Sequence, residues 1–84
     1  MPTKEELERM DMTQLAVLCQ KVAESPMAGS VEADQGREMK HEWALLIQSM
    51  TPPSFVLKEQ QAKEAELEKL KRRMVSFLAA VLPK

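Results

Sequence analysis

The most regular pattern in this chain is an apolar seam near its C-terminus. Large apolar residues recur there at steps of three and four, which places them on one face of an α-helix. Such spacing predicts a helix that packs on another helix, as in a coiled coil. A second apolar stripe widens this face toward its end, which favours a bundle or dimer core over a two-stranded coil. The C-terminal seam consists of Leu67, Leu70, Met74, Phe77 and Val81.

A similar stripe lies in the middle of the chain and predicts a helix over residues 31–50. Ser30 is the expected N-cap, because its hydroxyl can accept a hydrogen bond from a free backbone amide. Gly36 lies inside this helix at a cost of about 1 kcal/mol relative to alanine, so a start near Gln35 is an alternative. The stripe consists of Met39, Trp43, Leu46 and Met50.

The first predicted helix covers residues 4–24. Thr3 and Glu6 have the spacing of a capping box, in which each side chain accepts a hydrogen bond from the backbone amide of the other residue. Asp11 or Thr13 could cap a second start, so a kink in that region is an alternative to one continuous helix. The apolar face comprises Leu7, Leu15, Leu18 and Val22, with Met12 and Cys19 at its edge.

Two short links separate the three predicted helices. The first covers residues 25–30, where Pro26 and its neighbours favour a turn. The second covers residues 51–54, where two prolines remove two backbone donors and fix an extended connection. The third helix is predicted over residues 55–82, and the apolar residues 55–57 are expected to staple its entry onto the bundle.

These elements predict an all-α fold: a single domain over residues 1–84, built as an antiparallel bundle of three helices with a long C-terminal helix. A chain this short buries only about 60% of the surface that its unfolded form exposes. It has one cysteine and one histidine, so neither an internal disulfide nor a histidine-rich metal site adds stability. We therefore expect dimerisation to complete the core.

Charge and composition bear on the partners of the protein and on its cellular location. The chain has 12 basic and 13 acidic residues, a net charge of −1, which gives no general attraction to nucleic acid or anionic membranes. Its polar, acidic start differs from a secretory signal, and its apolar runs fall short of the about 20 residues that span a bilayer. A lone cysteine is typical of a reducing compartment. We expect a cytoplasmic protein without a transmembrane segment.

Two candidate chemical motifs fail on inspection. His41 and Glu42 resemble the start of a zinc-protease helix, but that chemistry needs a second histidine where this chain has Leu45. Cys19 and His41 are the only candidates for a nucleophile and its base. Cys19 lies on an apolar helix side, where a free cysteine acts as a small hydrophobic residue. We therefore predict no catalytic residue, no metal ligand, no cofactor site and no enzyme activity.

Two further motifs would suit nucleic acid. Residues 69–73 form a basic cluster, but many acidic residues precede it, as expected for a solvated helix face with pairs such as Glu68 and Arg72. Residues 13–16 resemble the opening of a helix-turn-helix motif, yet Pro26 and an acidic helix start follow instead of a recognition helix. A small nucleic-acid-binding regulator remains the alternative function, and a pI near 5.8 weighs against it.

The favoured function is a non-enzymatic protein–protein interaction module, of the kind found among small adaptors, co-chaperones and inhibitors, that forms a homodimer or binds another protein through apolar helix faces. Trp43 is either a core residue or an anchor of the interface, because tryptophan is enriched among residues that dominate binding energy. The candidate interface combines the two stripes: Met39, Trp43, Leu46, Met50, Leu67, Leu70, Met74, Phe77 and Val81.

Overall fold

A computed structural model describes residues 3–25, 29–50 and 55–82, and within these ranges it contains four α-helices and no β-strand. The all-α class predicted from the sequence is therefore confirmed. The last two helices begin and end within two residues of their predicted bounds. The helices are α1 (Lys4–Arg9), α2 (Met12–Glu24), α3 (Ser30–Ser49) and α4 (Leu57–Val81).

The first predicted helix is in fact two helices, because the backbone leaves helical geometry at Met10 (φ −71°, ψ 148°). Asp11 then starts α2 with a capping box: its Oδ1 accepts from the amide of Gln14 at 2.9 Å, and Gln14 Oε1 accepts from the amide of Asp11 at 3.4 Å. At the start of α1, one of the two bonds of the predicted capping box is present: Thr3 Oγ1 accepts from the amide of Glu6 at 3.2 Å. A continuous helix over residues 4–24 was thus wrong, and the alternative break is confirmed.

The start of α3 also differs from the prediction, since its N-cap is Gly29 and Ser30 is already helical. Gly36 lies within the helix and is buried against α2. A Cβ atom at this position would lie 2.6 Å from the carbonyl oxygen of Cys19 and 3.5 Å from the amide nitrogen of Ala23. The glycine therefore permits the backbones of α2 and α3 to approach each other closely.

The turn predicted around Pro26 and the extended link predicted at residues 51–54 lie outside the described residues. The predicted staple at the start of α4 is wrong, because Phe55 is completely exposed and its two apolar neighbours are more than half exposed. The reason is the position of the end of α3. Lys63 Nζ donates to the backbone carbonyl of Ser49 at 2.6 Å, so the turns of α4 before Lys63 extend beyond the residues that α3 could cover.

All four helices contribute to one apolar core. Helix α2 packs against α3 and α4, and α1 and α3 each pack against α4. Contacts from Arg73 to Glu42 and from Lys63 to Ser49 show that α3 and α4 run antiparallel, as predicted. Among the described residues, no polar or charged side chain is buried in this core. The fully buried side chains are those of Leu7, Leu15, Cys19, Met74 and Leu78.

Candidate functional site

An open cleft of about 510 Å³ lies between α3 and α4. Its apolar lining comes from leucines on both helices, and charged side chains surround them. This composition, apolar in the middle and charged at the edge, is the usual anatomy of a protein–protein contact surface. The lining residues are Glu42, Leu45, Leu46 and Ser49 from α3, and Glu66, Lys69, Leu70 and Arg73 from α4.

Two polar contacts hold the helices together on either side of these leucines. At one end, Arg73 Nη1 pairs with Glu42 Oε2 at 2.8 Å. Both side chains are about half exposed, so this pair contributes roughly 0–1 kcal/mol to stability. At the other end, the ammonium of Lys63 binds the carbonyl of Ser49, where it also interacts favourably with the negative end of the α3 dipole. The cleft therefore has one polar contact between α3 and α4 on each side of its leucines.

Most of the exposed apolar side chains come from one stretch of the sequence. Five of the seven large apolar side chains that the described ranges leave exposed fall between residues 45 and 57, in the last turns of α3 and at the start of α4. Single exposed apolar residues are common in soluble proteins, whereas a contiguous patch of them indicates a contact surface. The five are Leu45, Ile47, Phe55, Val56 and Leu57.

The structure divides the nine predicted interface residues into two groups. Met39, Leu70, Met74 and Phe77 are buried within a single chain, where they pack the core. Five others keep part of their surface exposed: Trp43, Leu46 and Val81, which pack against that core, and Met50 and Leu67, which are partly buried. Leu46 and Leu70 are the two that also line the cleft. A role for the nine in an interface stays a prediction.

Trp43 combines features of core and surface. Its ring packs against the core cluster, and part of it remains exposed. Its Nε1 atom is buried and has no hydrogen-bond partner among residues 3–25, 29–50 and 55–82. An indole N–H in this situation forgoes about 1–3 kcal/mol of solvation, so Trp43 is held in place by packing of its ring.

Cys19 and His41 occupy different environments. Cys19 is fully buried among the helices, and burial raises the pKa of its thiol from 9.0 to about 11. Thiolate is the nucleophilic form, so this thiol is inert near neutral pH. His41 is exposed on α3. In the part of the chain covered by the structure, no group of three or more histidine, cysteine or acidic side chains is arranged to hold a metal ion.

The basic cluster at residues 69–73 is divided between two sides of α4. Lys69 and Arg73 line the cleft toward α3, whereas Lys71 and Arg72 line a depression toward α1. Arg73 pairs with Glu42, and Arg72 lies 3.7 Å from an acidic residue one turn earlier. The cluster therefore does not form the single positive face that nucleic-acid binding requires.

No helix within the described ranges is long and apolar enough to cross a membrane. Comparisons of this chain with protein-family models, with curated proteins and with solved structures found no match. The arrangement of its own side chains therefore carries the functional conclusion.

Proposed function

We propose that this chain is a non-enzymatic protein–protein interaction module that binds through the cleft between α3 and α4 and through the exposed apolar residues at the end of α3 and the start of α4. The observation that carries the proposal is a leucine-lined cleft with the exposed Leu45 in its lining, together with the exposed Phe55 and Leu57 at the N-terminal end of α4. Burial of apolar surface contributes about 25 cal/mol per Å², so covering these side chains favours association. An amphipathic helix is the kind of partner that such a groove accepts.

The first partner that we propose is a second copy of the chain, which gives a homodimer. The core of a single chain is small, and the apolar side chains that the chain leaves exposed become buried only through association. The buried cysteine thiol is typical of a protein in a reducing compartment, and we propose that the protein acts in the cytoplasm.

Light scattering over a dilution series tests self-association. We expect particles of more than one chain at high micromolar concentration, and a melting temperature that rises with concentration because folding and association are linked. Leu45→Asp, at the edge of the cleft, should shift the population to monomers while leaving the helical circular dichroism signal unchanged.

Val31→Asp is the matched control, because Val31 is also exposed and also lies on α3, but outside the cleft. We expect it to leave the particle size unchanged. A wild-type chain that is monomeric at every concentration, with a constant melting temperature, would contradict self-association. Equal effects of both substitutions would show that the cleft is not the binding surface.

A further inference from the structure

On the exposed side of α4, one positive and one negative side chain lie at equal distances before and after a central alanine. Lys58, Ala62 and Glu66 follow one another at intervals of four residues, which places them on one face of the helix. All three are exposed. Neither Lys58 nor Glu66 takes part in an ion pair within the described part of the chain.

We infer that two copies of this chain pair through antiparallel α4 helices about a two-fold axis at Ala62, with Phe55 of each copy seated in the α3–α4 cleft of the other. This inference rests on the proposed self-association and specifies its geometry. In a two-fold symmetric dimer the same surface is used by both copies, so that surface must complement itself.

The charges satisfy this condition. In antiparallel helices that cross at Ala62, residues at equal distances before and after it face each other. Lys58 therefore meets Glu66 of the partner subunit, and symmetry forms the same pair a second time. The small side chain of Ala62 on the axis lets the two backbones approach. An unrelated protein would need its own matching charges, whereas a second copy supplies them by symmetry.

The same axis also brings Phe55 to the cleft. Leu57, the first residue of α4, precedes Ala62 by five residues and so lies at the level of Leu67 of the partner subunit; Phe55, two residues before the helix begins, extends past that level toward Lys69 of the partner subunit. Lys69 lines the cleft together with Leu45 and Leu70. A cavity of about 150 Å³ accepts benzene, so a cleft of about 510 Å³ has room for the phenyl ring. Phe55 is fully exposed in the single chain and would become buried in the dimer.

A charge exchange tests the pairing directly. Glu66→Lys places two like charges opposite each other at both symmetric positions, and we expect it to raise the dimer dissociation constant by about tenfold or more. Adding Lys58→Glu to that variant restores both pairs with reversed sign, and we expect wild-type affinity to return. Glu64→Lys, an equal change of charge at an exposed position off this face, is the control and should have little effect. Analytical ultracentrifugation over a dilution series gives the dissociation constants.

A cross-link tests the position of the axis without relying on affinity. In Ala62→Cys the two new thiols meet at the axis, so mild oxidation should join two full-length chains through one disulfide. Ala80→Cys, exposed near the other end of α4, should remain uncross-linked under the same conditions. Cys19 is buried and does not compete.

The outcomes separate this geometry from the proposed function. The geometry is wrong if Glu66→Lys leaves the dissociation constant unchanged. It is also wrong if the double variant does not restore affinity and Ala62→Cys does not cross-link. Self-association itself would remain supported in both cases. A chain that stays monomeric at all concentrations would contradict both this geometry and self-association. The proposed partner of the cleft would then be another protein.

Discussion

Gly36 controls how closely α2 and α3 pack. From the sequence it is a weak point in a helix, at a cost of about 1 kcal/mol. In the structure a side chain there would meet the backbone of α2, 2.6 Å from the carbonyl oxygen of Cys19. Backbone cannot rotate away as a flexible side chain can. The intrinsic cost in helix stability is thus offset by the close contact that the glycine allows.

Gly36→Ala should therefore lower stability even though alanine is the better helix former. Its gain in helix propensity is about 1 kcal/mol, and overpacking costs about 1–3 kcal/mol. Since the obstructing atoms belong to backbone, we expect a net loss of about 1–2 kcal/mol, measured by urea unfolding. Gln35→Ala, at the exposed neighbouring position of α3, is the control, because it also introduces the best helix former but meets no part of α2. A Gly36→Ala chain as stable as wild type would contradict the close approach.

At the scale of helices, apolar periodicity predicted most of what the structure shows. The existence of α3 and α4 followed from regular stripes of apolar residues, and their bounds followed from the prolines and the expected cap between the helices. The break between α1 and α2 could not be fixed in this way, because Leu7 and Leu15 lie on one face whether or not the helix is interrupted. The start of α3 was misplaced by one residue because glycine and serine differ little in stability as N-caps, so neighbouring Gly29 and Ser30 compete closely.

The capping box at Asp11 is what decides between one helix and two. Asp11→Ala removes the carboxylate that accepts from the amide of Gln14, and we expect a loss of about 1 kcal/mol in the free energy of unfolding. Asp11→Asn keeps an accepting oxygen and should retain most of the stability. Thermal unfolding followed by circular dichroism compares the two. Equal melting temperatures would mean that the cap does not stabilise the junction.

At the scale of the whole molecule, the cleft was not predictable from single helices. Leu46 and Leu70 belonged to predicted stripes, but Leu45 lies off the α3 stripe, and no pattern in the sequence assigned it to a contact surface. Its proximity to Leu70 depends on the register between α3 and α4. That register is set by contacts between residues far apart in sequence, such as Arg73 with Glu42, which periodicity along one helix does not reveal.

The two phenylalanines allow a direct test of which apolar residues hold the molecule together. Phe77 is 8% exposed in the core, so Phe77→Ala should cost about 3–5 kcal/mol, which is comparable to the whole stability of a small domain. Phe55→Ala removes the same atoms from a fully exposed position. At dilutions where the chain is monomeric, we expect its melting temperature to match wild type. Similar losses for both variants would contradict the core described for α4.

The packing of α1 on α4 has a consequence for how the protein is made. Leu7 is buried in α1, which is synthesised before the other three described helices, yet α1 packs against α4, the last of these four. Domains fold as units once their partners are available, so Leu7 stays in water until α4 has emerged. A translation product interrupted before α4 would leave Leu7 and the apolar side of α2 exposed, in the form that chaperones and proteases recognise. Burial of Leu7 against α4 thus distinguishes a completed bundle from an interrupted one.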